Sequence, residues 1–213
     1  ATRVAIAIDP GAVDSILSYL EEHHLTLEYI ANTHSHYDHT PGNREIVKRT
    51  GAMFLPNQLS GSDMPYNLRQ KISKSFIRPD IRKIRCVLYG KHLITGDTLF
   101  NGTIGNCFSG DVKSFYTSIK LLMNCPENTV IYAGHDYVRA SMEFARFLEP
   151  DNPEIPAFLN AYNPYHVFST LAQESRLNPY LRFNEPSIIG LLESKKLPTV
   201  TEYDRWKSLM TLE

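Results

Sequence analysis

The sequence predicts alternating strands and helices followed by a helical tail, and three observations carry that prediction. Short apolar runs, Val4–Ile8 and Leu25–Ala31 among them, stop abruptly at turn residues or at a cluster of histidines. Between these runs apolar residues recur at helical spacing, so the order reads strand, helix, strand, loop, helix, strand. Beyond residue 140 the strand signal fades and helical spacing dominates. Residues 1–140 are therefore expected to form the catalytic α/β part and residues 141–213 a helical appendage.

Val4–Ile8 reads as a buried strand closed by the turn Asp9-Pro10-Gly11. Val13, Ile16, Leu17 and Leu20 share one helical face. Leu25–Ala31 is a second strand. Asn43 is expected to cap a helix over Arg44–Arg49 that Gly51 ends, and Ala52–Leu55 is a third strand. Between 69 and 85, Arg69, Lys71, Lys74, Arg78, Arg82, Lys83 and Arg85 face only Asp80, and the stretch reads as a solvated helix and loop. Arg85–Tyr89 and His92–Thr95 form a hairpin on the Gly90-Lys91 turn. Asp111 caps a helix with Val112, Phe115, Tyr116, Ile119, Leu122 and Met123 on its apolar side, and Thr129–Ala133 is another strand. Met142, Phe144, Ala145 and Leu148, a helix capped by Ser169 or Thr170, and Thr201–Leu209 with Trp206 make up the tail, where no strand is expected.

A length of 213 residues with 42% hydrophobic composition is enough for one sizeable core. The net charge of −1 gives no global field for nucleic acid or an anionic membrane. No apolar run approaches the roughly 20 residues of a membrane span. Three cysteines, Cys86, Cys107 and Cys125, without regular spacing, point to a reducing, cytoplasmic setting rather than a disulfide framework.

The chemistry concentrates in Thr33-His34-Ser35-His36-Tyr37-Asp38-His39-Thr40-Pro41-Gly42-Asn43. Four metal-competent side chains packed this closely fit neither strand nor helix periodicity, but they suit a loop folded round a cation. In an extended segment His34 and His36 point the same way. Gly96-Asp97 and Gly134-His135 each place another metal-competent residue where an apolar strand stops. One ion is expected on His34 and His36 and another on Asp38, His39 and His135, with Asp97 between them. Such a pair lowers the pKa of a bridging water and polarises a carbonyl, so the chemistry implied is hydrolysis by metal-held hydroxide without a Ser or Cys nucleophile. Asp38 and Asp97 are the expected catalytic carboxylates. His and carboxylate donors suit two divalent ions, zinc first and iron or manganese next.

His34-Ser35-His36-Tyr37-Asp38-His39 resembles the HxHxDH signature of the metallo-β-lactamase superfamily, with Gly96-Asp97-Thr98-Leu99-Phe100 and Gly134-His135-Asp136-Tyr137 similar to its later motifs. Phe144-Ala145-Arg146, Glu149-Pro150, Ser169-Thr170-Leu171-Ala172 and Asn178-Pro179-Tyr180-Leu181-Arg182 extend the likeness to glyoxalase II, the hydroxyacylglutathione hydrolases. The resemblance implies an α+β fold, an αββα sandwich with a dinuclear site at one edge, and hydrolysis of a small-molecule thioester such as an S-acyl-glutathione. Tyr137 is implied to touch substrate.

Three departures accompany the resemblance. The family places a further metal histidine in a Gly/Pro-rich turn before the Gly-Asp, whereas only His92, inside a hairpin, lies between His39 and Asp97. Family segments are expected to be lacking at the N-terminus and around 76–86. Asn106 and Phe108 stand at the substrate-binding positions of a family Lys and Tyr, which removes a charged partner for glutathione. Three alternatives therefore stand beside the thioesterase: an iron persulfide dioxygenase of the same fold, a degenerate metal-binding module, and a nucleic-acid-processing hydrolase resting on the basic stretch.

Overall fold

The computed structural model describes residues 3–55, 72–77 and 85–213. In chain order they form β1 (Val4–Ile8), α1 (Val13–Glu22), β2 (Thr26–Ala31), a 3-10 turn (Tyr37–His39), α2 (Asn43–Thr50), β3 (Met53–Phe54) and β4 (Ile72–Ile77). Next come β5 (Arg85–Tyr89), β6 (His92–Gly96), β7 (Leu99–Phe100), β8 (Thr103–Ile104), α3 (Val112–Leu122), β9 (Val130–Ala133) and α4 (Val138–Leu148). The chain closes with α5 (Glu154–Ala161), β10 (Ser169–Thr170), α6 (Leu171–Leu177), α7 (Pro186–Ser194) and α8 (Glu202–Leu209).

The strands make an α+β sandwich. One sheet is parallel, in the order β1-β2-β3, and the other runs β10-β9-β6-β5-β4. In the first, Leu27 and Ile30 of β2 meet Leu20 of α1 and Ile46 of α2, so both helices cover its outer face. Tyr29 and Leu55, with Ile6 and Ala31, lie on its inner face. From Tyr29 to Ala31 this is the period-2 pattern of a strand buried on both sides, and a register shift that skips Glu28 brings Leu27 onto the face of Ile30. The outer face of the second sheet carries the main core: Leu88, Leu93 and Ile131 pack with Phe115 and Ile119 of α3 and with Ile188, Leu192, Trp206 and Leu209 of the tail. Truncating such a fully buried side chain costs about 2–5 kcal/mol.

That core spans both expected regions, and α4 runs through the boundary drawn at residue 140. Val138, Met142 and Ala145 lie on one buried face with Ile155, Phe158 and Leu177, which holds the helix unbroken across that point.

Four local expectations are corrected. Gly42, not Asn43, is the N-cap of α2, because the Asn43 amide donates instead to Asn32 Oδ1 at 2.7 Å. Residues 72–77 of the basic stretch form β4, paired antiparallel with β5, rather than a solvated helix. The rest of that stretch below residue 85 lies outside the described residues, as does most of the region where a family segment was expected to be lacking. The tail contains a strand after all: Ser169 and Thr170 pair with Ile131 and Val130. It also contains α5 and α7, two helices flanked by proline that the apolar spacing did not single out. Thr170 and Thr201 cap α6 and α8, and the backbone N–H of each donates in return to the side chain of Gln173 or Asp204. Among the described residues no helix is long and apolar enough to cross a membrane.

Candidate metal centre

Strand register brings the donors together. β1 and β2 are parallel with Ile8 opposite Ala31, so Asp9 and the loop after β2 leave the sheet side by side. β6 and β9 are parallel with Gly96 opposite Ala133, so Asp97 and His135 do the same. The site thus lies outside the carboxyl ends of four strands, the crevice position typical of ligand sites on such sheets. Two glycines permit the close approach. A Cβ on Gly134 would lie 2.4 Å from Asp97 Oδ1, and one on Gly96, at φ +50°, would lie 2.8 Å from Thr33 Cβ.

Asp9 organises the loop. Its Oδ1 accepts from Thr33 N at 2.8 Å and Asn32 Nδ2 at 3.2 Å. Its Oδ2 accepts from Thr33 Oγ1 at 2.7 Å and His39 Nδ1 at 2.9 Å. Four donors fill the lone-pair sites of an ionised carboxylate. They also fix two tautomers. His39 carries its proton on Nδ1, which leaves the Nε2 lone pair free. Thr33 spends its single hydroxyl proton on Asp9, so its contact with His34 Nδ1 at 3.0 Å must be donated by the ring, and His34 Nε2 is likewise a bare lone pair. Asn32 Nδ2 also donates to His39 O at 2.6 Å, closing the loop on itself.

The bare nitrogens converge. His39 Nε2 lies 3.1 Å from His135 Nε2, 3.4 Å from Asp97 Oδ1 and 3.9 Å from Asp38 Oδ2. His135 Nε2 is 3.3 Å from Asp38 Oδ2 and 3.6 Å from Asp97 Oδ1. For donors about 2.0–2.1 Å from a zinc-sized ion, the edges of a tetrahedron are about 3.4 Å. Of these five separations, four fall within about 0.3 Å of that length and the His39–Asp38 one is longer. A second group forms alongside, with His34 Nε2 2.9 Å from His36 Nδ1 and 3.5 Å from Asp97 Oδ2. The two oxygens of Asp97 therefore lean toward different groups. This donor set fits two divalent cations.

Electrostatics keep two of the donors, His34 and Asp38, in the form a cation needs. Burial, reinforced by His39 and opposed by Asp97, holds the His34 pKa below its ordinary value. Burial works to raise Asp38, but its backbone hydrogen bond and the nearby His39, His135 and His34 outweigh it and hold the carboxyl below the ordinary range.

Around the donors, the Tyr137 ring lies 5.6 Å from that of His135 and edge-on to Phe100 at 4.9 Å. Asn106 and Phe108 sit on the exposed loop after β8, Phe108 with 72% of its surface open. Gly105 N donates to Thr98 O at the start of that loop, one residue past Asp97. His92 opens β6, at the opposite end of the strand from Asp97, and cannot join either group. Arg205 of α8 donates to Asn184 Oδ1 and Thr199 O and ties the tail together. Reading the sequence missed Asp9, whose signal was an Asp at the end of the strand that runs beside the metal-loop strand.

This fold, with paired donors at the strand ends, defines a member of the metallo-β-lactamase superfamily, and the sequence pattern of that superfamily matches residues 4–85. Residues 136–211 match the pattern described as hydroxyacylglutathione hydrolase C-terminus. The hydroxyacylglutathione hydrolase of Pseudoalteromonas translucida is 30% identical over 225 residues, covering 98% of this chain and 88% of the relative. That of Methylobacillus flagellatus is 31% identical, covering 93% and 87%. The chain belongs to the hydroxyacylglutathione hydrolase family. The first match spans more positions than the 213 residues of the chain, so that relative carries residues within the matched span that have no counterpart in this chain. Two solved structures share the fold: ETHE1 from Myxococcus xanthus, with TM-score 0.62, 23% identity and coverage of 98% and 90%, and the BLEG-1 B3 metallo-beta-lactamase, with TM-score 0.57, 20% identity and coverage of 84% and 89%.

Proposed function

We propose that the protein is a dinuclear metal-dependent thioesterase that hydrolyses a small-molecule S-acyl thioester of the acyl-glutathione type, with zinc as the favoured metal. Family membership supports the reaction class. One observation carries the site: Asp97 offers Oδ2 to the His34/His36 group and Oδ1 to the His39/His135/Asp38 group. Asp97 would be shared between two ions, His34 and His36 would complete the first, and Asp38, His39 and His135 the second. When bound, two such cations bring the proton loss of water toward neutral pH and draw charge from a thioester carbonyl.

The protein's own groups do the rest. Asp9 and Thr33 hold the His39 and His34 rings in the tautomers that present lone pairs. Asp38, kept ionised and partly open to solvent, would present its carboxylate to the second ion at the mouth of the site. The half-exposed Tyr137 ring offers substrate a wall beside His135. Residues 1–140 supply every donor, and the tail supports them from behind.

The test is metal analysis of purified protein together with hydrolysis of a thioester panel, with and without a glutathione thiol. About two ions per chain are expected, with activity lost on chelation and restored by zinc. Hydrolysis that survives complete metal removal rules the reading out. Preference for non-glutathione thioesters would instead locate the effect of Asn106 and Phe108.

A further inference from the structure

The two buried histidines of the site are oriented through Nδ1, His39 by Asp9 and His34 by Thr33. His135 differs. Its contacts run through Nε2 to His39, Asp38 and Asp97, and among the described residues no hydrogen bond reaches its Nδ1. Its side chain is also 30% exposed, so burial does not fix the ring either. Beyond ring contacts with His39, Phe100 and Tyr137, the orientation of His135 rests on the backbone that carries it.

That backbone is clasped at the next residue. Asp136 Oδ1 accepts from Val138 N at 3.1 Å, which shapes the turn into α4. Asp136 Oδ2 accepts from the hydroxyl of Tyr162, at the C-terminal cap of α5 in the tail. The Tyr162 ring is held in turn. It packs on the cluster of Val138, Phe158 and Ile155, and the Arg139 guanidinium lies 5.5 Å over it. Asp136 beside it raises the pKa of the Tyr162 hydroxyl, which keeps the group a donor.

We infer that Tyr162 is a positioning residue for the second ion: from the helical tail it clasps Asp136 and so aims His135 at the His39/Asp38 group. This gives the tail a part in metal binding beyond packing. It rests on the reading of His135 as a ligand.

The test measures both metal dissociation constants by competition with a chromophoric chelator, a readout independent of any thioester. Tyr162→Phe removes only the hydroxyl. It is expected to weaken the second ion about 10-fold, within the range for groups behind a ligand, and to leave the first within about twofold. Asp136→Asn should match it, and the double variant should be no worse than either, because the two act as one unit. An unchanged second constant, or equal weakening of both ions, overturns the inference. His135→Ala separates the two ideas. If it spares the second ion, the ligand assignment falls and the clasp with it. If it empties that site while Tyr162→Phe does nothing, only the clasp falls.

Discussion

The two halves of the proposed metal centre are built by opposite means. The first half, His34, His36, Asp38 and His39, comes from one loop of six consecutive positions, and the carboxylate of Asp9 locks it from the neighbouring strand. The second half, Asp97 and His135, comes from two strand ends far apart in sequence, brought together by the β6–β9 register. Behind that half stands the tail: Glu174 of α6 accepts from Gly102 N, next to the β7–β8 hairpin, while Tyr162 grips Asp136. A contiguous donor set needs only a local lock. A dispersed one needs the whole second sheet and its helices to hold register, and this is why the tail's core and the core of the second sheet are one cluster.

The strongest way to break this contrast is Asp97→Ala, because among the described residues Asp97 is the donor that reaches both groups. Losing a shared carboxylate removes several kcal/mol of charge stabilisation, so activity should fall about 1000-fold. Metal content should fall for both ions together. Elemental analysis that still finds two ions in Asp97→Ala would mean the two donor groups are independent sites.

A smaller effect separates the two donor groups. Asp9→Asn keeps the shape, but its amide nitrogen can face His39 Nδ1 and favour the wrong tautomer, turning the Nε2 lone pair into a donor. Groups in this position typically contribute 10–100-fold in metal affinity, so a loss of about that size is expected for the His39 group. The His34 group should lose less, since Thr33 stays hydrogen-bonded to the His34 ring. Stepwise metal titration followed by histidine ring NMR checks both points, and equal losses at the two groups would show that Asp9 locks the loop as a whole.

The same contrast explains what was legible in the sequence. The contiguous half announced itself, because three histidines and an aspartate in six positions match no packing period. Asp97 and His135 were legible because each follows an apolar run at a glycine. Asp9 was not, because Asp-Pro-Gly is an ordinary turn signal and its meaning depends on the parallel pairing of β1 with β2. Tyr162 and Glu174 were hidden for the same reason, since neither lies within 25 positions of the group it holds except through the fold. The two-residue strand β10 is too short for periodicity to register, and the prolines beside α5 and α7 read as breaks, so tertiary packing makes all three. Charges masked β4, which exists because β5 offers it an edge.

The mildest expected effect on the site comes from the bolt behind the second half. Glu174 is fully buried, and its carboxylate accepts from Ser169 Oγ at 2.6 Å, Asn178 Nδ2 at 2.8 Å and Gly102 N at 3.0 Å, with no cation among these partners. Burial pushes its pKa up to about 7 from an ordinary 4.5, against the pull of those hydrogen bonds. The folded protein therefore binds this proton more tightly than the unfolded chain does. The stabilisation is complete below about pH 4.5 and is lost as pH rises through about 7, a total of about 3 kcal/mol. Glu174→Gln stays neutral: its amide can donate to Ser169 Oγ while its carbonyl accepts from Asn178 and Gly102, as the protonated acid would. Chemical denaturation in the presence of chelator should show the parent losing stability relative to the variant across that window, with metal affinity in the two proteins within about twofold of one another. A parent and variant whose stabilities run parallel with pH would mean that Glu174 is ionised throughout. A large loss of the second ion would mean that the bolt reaches the metal, and the two halves would then differ less than their construction implies.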